Sequence, residues 1–394
     1  MQFRFEPEEE IFRQEVRDFI ISELPPSWRT TQGHHSGLET EEEWTFYRSM
    51  MRKLGAKGWL TLAWPKEYGG QADTIKQFIL SEEVYYYGAP GLDMPGVYML
   101  SPVLIRYGTE EQKKQHLPCM ASGETLWCEC FSEPGVGSDL ASVSTRAVED
   151  GGTLILNGQK TWITQAHRAD WGFALVRTDP EAPKHAGITF LLFDMKTPGI
   201  TVCPITDLAG MNTINEVFFD DVRVSKSNVV GRMNEGWTVA RALLGFERSG
   251  IHRISQARRI VDLLVDYIKE TSYHGEPLSK VPWIRSRVVD AAMDCEVARL
   301  FAYNIAWLQS KELAPPLEIS MTQLVGHELQ QRVADVGMQV LGLYGQLERD
   351  SKWAKLAGAI EHFYLTSIGA TFAAGSSEIM RNTLAVRGLG LPKG

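Results

Sequence analysis

The stretch Trp127–Asp139 reads WCECFSEPGVGSD, and it separates two parts of the chain with different hydrophobic periods. Its first half alternates like a β-strand, and the proline and two glycines of its second half break that strand into a tight turn. Glycines let main-chain N–H groups approach a flat or anionic ligand, while Ser132, Ser138 and Asp139 add hydroxyl groups and an acceptor. A turn of this composition is by itself more often structural than functional. Its meaning depends on the motifs elsewhere in the chain.

The composition is that of an ordinary globular protein. Of 394 residues, 44% are hydrophobic and 23% are charged, so the chain can bury two or three cores. The net charge of -9 is spread along the chain, and no stripe of lysine and arginine with interleaved aromatic residues occurs. These features argue against a nucleic-acid partner.

The cysteines and the N-terminus indicate the compartment. The five cysteines are an odd number and lack zinc-type spacing, which favours reduced thiols and no metal site. The N-terminal sequence MQFRFEPEEE lacks the basic and apolar segments of a signal peptide. The sequence contains no apolar run long enough to span a membrane. We therefore expect a soluble, cytoplasmic protein without a membrane partner.

The hydrophobic period changes twice along the chain, and this predicts an α+β protein with three domains. A helical period predicts helices over 7–23, 40–54, 74–87, 95–107 and 109–120. Short alternating or apolar runs between Gly, Pro and Asn then predict a compact β domain. The helical period returns and predicts long helices over 237–271, 283–311, 316–347 and 351–371, joined as a bundle. We place the domains at 1–123 (N-terminal α-helical), 124–232 (middle β) and 233–394 (C-terminal helical bundle).

Three motifs together carry a resemblance to a known family. They are EPGVGSD within Trp127–Asp139, KTWIT at Lys160–Thr164 and AAGSSEIMRN near the C-terminus. With WPKEYGG, RYGTEEQKK and FFDDVRV elsewhere, the sequence resembles the acyl-CoA dehydrogenase family of flavoproteins over essentially its whole length. The resemblance implies that family's fold, which has a helical domain, a β-barrel-like domain and a four-helix bundle. It also implies an FAD cofactor and a homo-oligomer, as a dimer or tetramer, with a mixed tetramer as an alternative.

The resemblance assigns site residues by position. The cofactor-binding residues it implies are Phe131, Ser132, Ser138, Trp162, Ile163, Thr164, Gln339, Gly342, Ser376 and Glu378. The substrate-binding residues it implies are Ser138, Arg248 and Ala374. One family motif departs from the pattern, because Thr271 stands where an arginine that contacts the flavin pyrophosphate is expected and His274 replaces a phenylalanine. Loss of that charge-assisted hydrogen bond would weaken flavin binding by roughly 1.5 to 3 kcal/mol.

The reaction that the resemblance implies is α,β-dehydrogenation of an acyl-CoA thioester to the trans-2-enoyl-CoA. A carboxylate takes the α-proton, the β-hydride passes to flavin N5, and the electrons pass to an electron-transfer flavoprotein. Many family members place this glutamate where the present chain has Ala374. A second solution, as in isovaleryl-CoA dehydrogenase, matches Glu247-Arg248 in LLGFERSG, so Glu247 is the predicted base. The backbone N–H of residue 374 remains the predicted donor to the thioester oxygen.

Two other functions fit the same sequence. One is a flavin-dependent monooxygenase or oxidase on the same fold, which Glu247 argues against. The other is a subunit of a hetero-oligomeric acyl-CoA dehydrogenase, which the change at Thr271 favours. Gly245 and Ala374 both replace larger side chains, so we expect a roomy pocket for branched, cyclic or otherwise bulky acyl chains.

Overall fold

The structure is a computed structural model that describes residues 5–26, 28, 39–245, 250–313 and 315–392. Its α-helices are α1 Pro7–Glu23, α2 Glu41–Ala56, α3 Thr74–Tyr87, α4 Ser101–Tyr107, α5 Glu110–Ala121, α6 Gly236–Leu243, α7 Ile251–Glu270, α8 Pro282–Ser310, α9 Pro316–Leu341, α10 Ala359–Ala370 and α11 Ser377–Thr383. Its strands are β1 Trp127–Cys130, β2 Arg146–Asp150, β3 Thr153–Thr164, β4 Trp171–Arg177, β5 Ile188–Asp194, β6 Ile200–Ile205, β7 Ile214–Ser225, β8 Ser272–Tyr273 and β9 Glu276–Pro277. The predicted α+β class with helical, β and helical regions in that order is confirmed.

The N-terminal helices begin where the sequence signals predict. Thr109 caps α5 by accepting a hydrogen bond from the Gln112 N–H at 3.3 Å, and the Gln112 side chain accepts one from the Thr109 N–H at 3.0 Å. These reciprocal bonds satisfy two amides that the helix itself leaves unpaired. Between α1 and α3, the buried Arg13 guanidinium contacts Glu82 at 2.6 Å and Glu83 at 2.8 Å.

The helix predicted over 95–107 is two elements. A π-helix, Met94–Leu100, precedes α4, and the Asp93 side chain accepts a hydrogen bond from the Gly96 N–H at its start. Pro102 lies in the first turn of α4. Because proline has no N–H and its ring crowds the preceding turn, a regular helix cannot continue through it. A wider turn therefore fills the gap.

A single sheet contains strands β1 to β7. Its order is β1-β4-β2-β3-β7-β6, and β5 pairs with β4. The β1–β4 pair is parallel, whereas β3–β7, β4–β5 and β6–β7 are antiparallel. The inward side chains are fully buried and include Leu154, Leu156, Ala174, Val176, Leu191, Phe193, Val217 and Val222. Strand β7 alternates, whereas β4 and β5 are buried on both faces, and the sequence predicted strands of both kinds for the middle region.

Three of the four predicted C-terminal helices are divided or shortened by residues in left-handed or unusual conformations, whereas α8 runs nearly as predicted. The predicted helix 237–271 divides into α6 and α7, and Gly250, with φ +69°, precedes α7. The predicted helix 316–347 ends at Leu341, where Gly342 adopts φ 57° and ψ -130°. The predicted helix 351–371 begins only at Ala359, after Gly358 at φ +75°. Glycine adopts such conformations without steric cost.

The described residues form two compact units. One unit lies within 1–35, 73–89 and 248–394, and the other lies within 36–72 and 90–247. Helices α1 and α3 thus belong with the C-terminal helices, whereas the sheet belongs with α2, α4, α5 and α6. The boundaries at 123 and 232 remain a prediction.

All five cysteines are free thiols. In the described part of the chain, no group of His, Cys, Asp and Glu side chains is arranged to hold a metal ion. No helix among those residues is long and apolar enough to cross a membrane.

Candidate active site

A buried ion pair joins the EPGVGSD and KTWIT motifs. The Lys160 Nζ lies 2.8 Å from Glu133 Oε1, and both side chains are almost completely buried. The same ammonium group donates to the Phe131 carbonyl at 3.0 Å and to the Leu175 carbonyl at 2.8 Å. All three of its donors are therefore used. The ion pair fixes the turn after β1 against β3.

Glu133 is equally well satisfied. Its Oε2 accepts from the Ser144 N–H and hydroxyl, both at 2.7 Å, and its Oε1 also accepts from the Thr145 N–H at 2.9 Å. Burial acts to raise the pKa of Glu133, but Lys160 and these hydrogen bonds outweigh it and lower the pKa to about 2. The carboxylate is therefore ionised at neutral pH and serves to hold the turn.

Glu133 and Lys160 both lie within the predicted motifs, but the motifs alone give them no role. The sequence does indicate that Lys160 is buried. On β3, Leu154, Leu156 and Lys160 are separated by even numbers of residues, so their side chains share the inward face. A lysine at an inward strand position requires a buried partner. Its partner lies 27 residues away, so sequence spacing alone does not identify it.

The turn after β1 is open on its outer side. A Cβ atom added at Gly135 or Gly137 would meet no atom within 4 Å in the part of the chain that the structure describes, and neither glycine has a positive φ. Neither internal packing nor backbone conformation therefore requires glycine at these two positions. Ser138, which is predicted to bind the cofactor and the substrate, is exposed beside them. At these two glycines the turn therefore exposes main-chain atoms that no side chain covers, and a ligand can approach them.

The KTWIT segment contains a β-bulge that turns one side chain outward. The β3–β7 register shifts between Lys160 and Ile163, and Trp162 adopts φ +63° with 62% of its side chain exposed. Such a φ is strained for a tryptophan and occurs where surrounding structure enforces it. Thr164 is also exposed, whereas Ile163 points into the sheet core at 2% exposure. Trp162 and Thr164 can contact a ring through side chains, and Ile163 only through its main chain.

Phe131 and Ser132 contribute main-chain atoms to the same region. The Phe131 ring lies inside the unit, 5.7 Å from the Phe173 ring and 5.9 Å from the Phe190 ring. Its side chain is 4% exposed and packs beneath the turn, and the assignment of Phe131 to the flavin site remains a prediction. The Ser132 carbonyl accepts a hydrogen bond from the Thr161 N–H at 3.0 Å, which aligns the two motifs side by side.

The predicted C-terminal site residues lie in the other unit. Gln339 donates to Asp335 at 2.6 Å on the exposed side of α9, and Gly342 ends that helix. Ser376 caps α11 by accepting from the Ile379 N–H at 3.3 Å. Glu378 is fully exposed. Hydrogen bonds from its own N–H and, to a lesser extent, from the Ser376 hydroxyl lower the pKa of its carboxyl group. The cap occupies one of the amides that would otherwise be available to a phosphate group.

Ala374 is exposed and has a left-handed backbone with φ +55°. Within the described residues, no hydrogen bond uses its N–H. An exposed, unpaired N–H on a strained residue is available to a ligand oxygen. Glu247 and Arg248 lie outside the described residues, between α6 and Gly250, so the assignment of the base remains a prediction.

Comparison with known proteins identifies the family. Profiles of the acyl-CoA dehydrogenase N-terminal, middle and C-terminal domains match residues 6–124, 128–222 and 234–389. The chain belongs to the acyl-CoA dehydrogenase family. It is therefore an oxidoreductase, and the resemblance of the three motifs is confirmed.

Individual relatives of this acyl-CoA dehydrogenase cover nearly all of it. The chain is 33% identical to acyl-CoA dehydrogenase IpdE1 of Mycobacterium tuberculosis, over 98% of each chain. Among solved structures, it is similar to the Tcur3481-Tcur3483 steroid ACAD, with 33% identity, a TM-score of 0.91 and complete coverage of both chains. It is also similar to the ChsE4-ChsE5 complex from Mycobacterium tuberculosis, with 32% identity, a TM-score of 0.89 and complete coverage of both chains.

The geometry of this acyl-CoA dehydrogenase fits the flavin that the family uses. An isoalloxazine ring requires main-chain donors at one edge and an apolar surface at its face. The open turn with Gly135 and Gly137 and the outward Trp162 supply both, and the Glu133–Lys160 pair holds them together. The residues present therefore fit the cofactor.

Proposed function

We propose that this enzyme dehydrogenates the CoA thioester of a bulky, cyclic acyl group to the trans-2-enoyl-CoA, with FAD as cofactor and Glu247 as base. The observation that carries the proposal is the bulge that presents Trp162 beside the open glycine turn, because this arrangement has no role in packing the sheet. Electron transfer to an electron-transfer flavoprotein, a role in β-oxidation and a cytoplasmic location remain predictions that follow from the family.

Each residue has a defined part in the proposed reaction. Bound FAD supplies the two-electron acceptor for the β-hydrogen. Trp162 and Thr164 orient that cofactor, and the open turn allows the ligand to approach the main chain closely. The carboxylate of Glu247 takes the α-proton, and the free N–H of Ala374 donates to the thioester oxygen as negative charge develops there. Exclusion of water by the bound ligand would raise the pKa of Glu247 toward neutrality.

The small side chains at two positions favour a bulky acyl group as the substrate. Ala374 lacks the carboxylate side chain that many family members carry at this position. Gly245 is exposed at the end of the segment that follows α6, and among the described residues a Cβ there would meet the Ala242 carbonyl at 3.3 Å and the Arg241 carbonyl at 3.6 Å. A larger side chain is thus compatible with the local fold, and its absence leaves space. The similarity to a steroid acyl-CoA dehydrogenase points to fused rings as the acyl group.

An anaerobic titration with acyl-CoA thioesters tests the proposal. The panel contains butyryl-CoA, palmitoyl-CoA, isovaleryl-CoA and a CoA thioester of a steroid side chain or ring fragment. We expect the cyclic thioester to bleach the visible flavin band at the lowest concentration. Preferential bleaching by butyryl-CoA would overturn the acyl-group assignment, and a flavin that none of the thioesters reduces would overturn the dehydrogenase reaction.

A second candidate function is that of one subunit in a mixed dehydrogenase. Thr271 ends α7, and its main chain is held by Tyr267 and Leu278 in a hairpin that exposes Tyr273. The hairpin carries two aromatic rings, Tyr273 and His274, with centroids 4.1 Å apart. His274 stands in place of the family's phenylalanine, and Thr271 stands in place of its arginine. Two of the similar structures are named for pairs of polypeptides. Purification with FAD in the absence of any second chain would exclude this candidate.

An apolar face of one helix could form the subunit interface, whether the assembly contains identical chains or two different chains. Helix α8 exposes Val289, Met293, Val297, Leu300 and Trp307, each between 41% and 57% exposed, at spacings of three, four and seven residues. These positions share one face of the helix. A continuous apolar face of this kind marks a subunit interface. We infer that it packs against a second copy or a related chain.

Met293→Glu is expected to reduce the mass of the assembly, because it places a charge at the centre of this face. Size-exclusion chromatography with light scattering measures the effect. The matched control is Arg287→Glu, which introduces the same side chain at an exposed position about 120° around the helix. Equal masses for both variants and the original protein would contradict the interface.

A further inference from the structure

Asp93 is a fully buried carboxyl group at the start of the π-helix. Its Oδ1 accepts the Gly96 N–H at 3.1 Å, and its side chain is 0% exposed. Its other oxygen, Oδ2, has no hydrogen-bond partner among the described residues. An unpartnered, buried carboxylate oxygen is costly, whereas a neutral carboxylic acid is tolerated. The environment of Asp93 therefore favours its protonated form.

Gln165 connects this carboxyl group to the flavin-facing strand. It follows Thr164 directly, has a left-handed φ of +58° and is buried. Its Nε2 donates to the Trp127 carbonyl at 2.7 Å and lies 3.5 Å from Asp93 Oδ1. Its N–H donates to the Thr213 carbonyl at 2.7 Å. One amide side chain thus joins the end of the KTWIT motif to β1 and to the π-helix.

The carboxyl group packs closely against the Gly96 backbone and the Trp127 indole. A Cβ atom at Gly96 would lie 2.1 Å from Asp93 Oδ2 and 2.6 Å from Trp127 Cδ1. Gly96 is therefore required for the close approach of the carboxyl group to the indole. Trp127 is itself 0% exposed and packs against the His116 ring at 5.1 Å.

We propose that Asp93 is a positioning residue for the flavin, because its protonated carboxyl group acts through Gln165 to fix the end of the Trp162–Thr164 segment. The sheet core alone does not require this contact, since Trp162 and Thr164 both face outward. The inference rests on the proposed FAD site but does not depend on the acyl group or on Glu247.

The charges around Asp93 define its titration. Burial, helped by the charge of Asp170, raises its pKa to about 8, and hydrogen bonds from Gly96, Trp127 and Gln165 oppose this rise. Asp170 is paired with Arg48 at 3.2 Å. Burial lowers the pKa of His116 to about 4, so this ring is neutral above that pH. The nearby Cys128 thiol has a raised pKa, chiefly because of Cys130 and burial, and stays protonated.

The sign of the pH effect follows from these values. Between pH 3.8 and about 8, the folded protein keeps a proton that the unfolded chain has released. Stability therefore falls as pH rises through this window and does not change further above it. In the folded protein, ionisation above pH 8 leaves a buried negative charge whose Oδ2 has no hydrogen-bond partner among the described residues, so we expect the flavin segment to loosen there.

Three variants test the proposal: Asp93→Asn, Asp93→Val and Gln165→Met. Asparagine at position 93 keeps an acceptor for the Gly96 N–H and a neutral donor, whereas valine at this position has neither. Methionine at position 165 removes the side-chain amide that joins Asp93 to the KTWIT motif. Two readouts are used, namely hydrogen exchange of the peptide that covers 160–166 in the flavin-free protein, and FAD affinity from pH 6 to 9.5. Asp150→Asn, at an exposed strand end, is the control.

We expect Asp93→Val and Gln165→Met to increase exchange of this peptide and to weaken FAD binding about tenfold, without an additive effect in the double variant. The original protein should lose affinity about tenfold with a midpoint near pH 8, and Asp93→Asn should abolish that dependence. Unchanged exchange in Asp93→Val, or the same pH midpoint in Asp93→Asn, would overturn the proposal. If the original protein binds no FAD, the proposed function fails, and the exchange data still decide the role of Asp93.

Discussion

Glu247→Gln is expected to leave FAD bound and to slow flavin reduction by acyl-CoA by roughly 10²- to 10⁴-fold, the usual contribution of a positioned general base. Glutamine has nearly the same size as glutamate but cannot accept the α-proton. Binding of cofactor and thioester should therefore persist while proton removal fails. Anaerobic stopped-flow measurement of flavin bleaching with the preferred thioester gives the rate directly.

The matched control for this variant is Glu235→Gln. Glu235 is an exposed glutamate just before α6, in the same unit, and its nearest cationic partner is Arg232 at 3.9 Å. We expect this control to reduce flavin at the original rate. A Glu247→Gln enzyme that bleaches within a factor of a few of the original would refute Glu247 as the base and direct attention to another carboxylate.

Lys160→Met is expected to destabilise the sheet-containing unit by about 3 to 5 kcal/mol, because it leaves Glu133 buried without its cation. The ammonium group makes three contacts of 2.8 to 3.0 Å, so no water can replace them without rearrangement. Urea unfolding followed by near-UV circular dichroism measures the loss. The turn after β1 should also lose its fixed position, so we expect the FAD content of the purified variant to fall.

An exposed pair in the same sheet supplies the comparison. Arg223 contacts Asp150 at 3.0 Å with both side chains more than half exposed, so Arg223→Met should cost less than about 1 kcal/mol. The double variant Lys160→Met/Glu133→Leu should be more stable than Lys160→Met alone, because it no longer buries an unpaired charge. Equal losses for the buried and exposed pairs would contradict the role assigned to Lys160.

The same ion pair predicts a pH dependence. The pKa of Glu133 is about 2 in the folded protein, whereas the ordinary value for a glutamate side chain in water is 4.5. Its contribution to stability is therefore complete above pH 4.5 and is lost as pH falls toward 2. Lys160→Met should remove this acid-sensitive contribution, which urea unfolding at a series of pH values between 2 and 6 would measure.

The regular parts of the fold were predictable from the sequence because their signals are local. The period of apolar residues distinguishes the helical regions from the sheet, and Thr109 with Gln112 marks the start of α5. The breaks between the C-terminal helices were not predictable in the same way. Gly250 and Gly358 are glycines within otherwise helical patterns, and only their surroundings determine that they adopt left-handed conformations.

The candidate site was predictable at the level of motifs but not of contacts. The resemblance indicated Trp162, but the outward turn of its side chain depends on a register shift between β3 and β7. Phe131 and Ile163 were predicted to line the flavin, and both have side chains in the core. The roles of Glu133, Lys160 and Asp93 depend on partners far along the chain. Such contacts arise from tertiary packing, which a local pattern does not encode.

The open glycines of the turn after β1 have an evolutionary consequence. A Cβ atom at Gly135 or Gly137 would meet no atom of the described residues within 4 Å, and neither glycine has a positive φ. Selection for folding therefore leaves these two positions free to vary, and only selection for a bound ligand keeps them small. In a lineage that abandons the flavin, they should be among the first positions to acquire side chains, before the buried lysine of the neighbouring strand changes. Their identity across descendants thus separates chains that still carry a cofactor from those that retain only the scaffold.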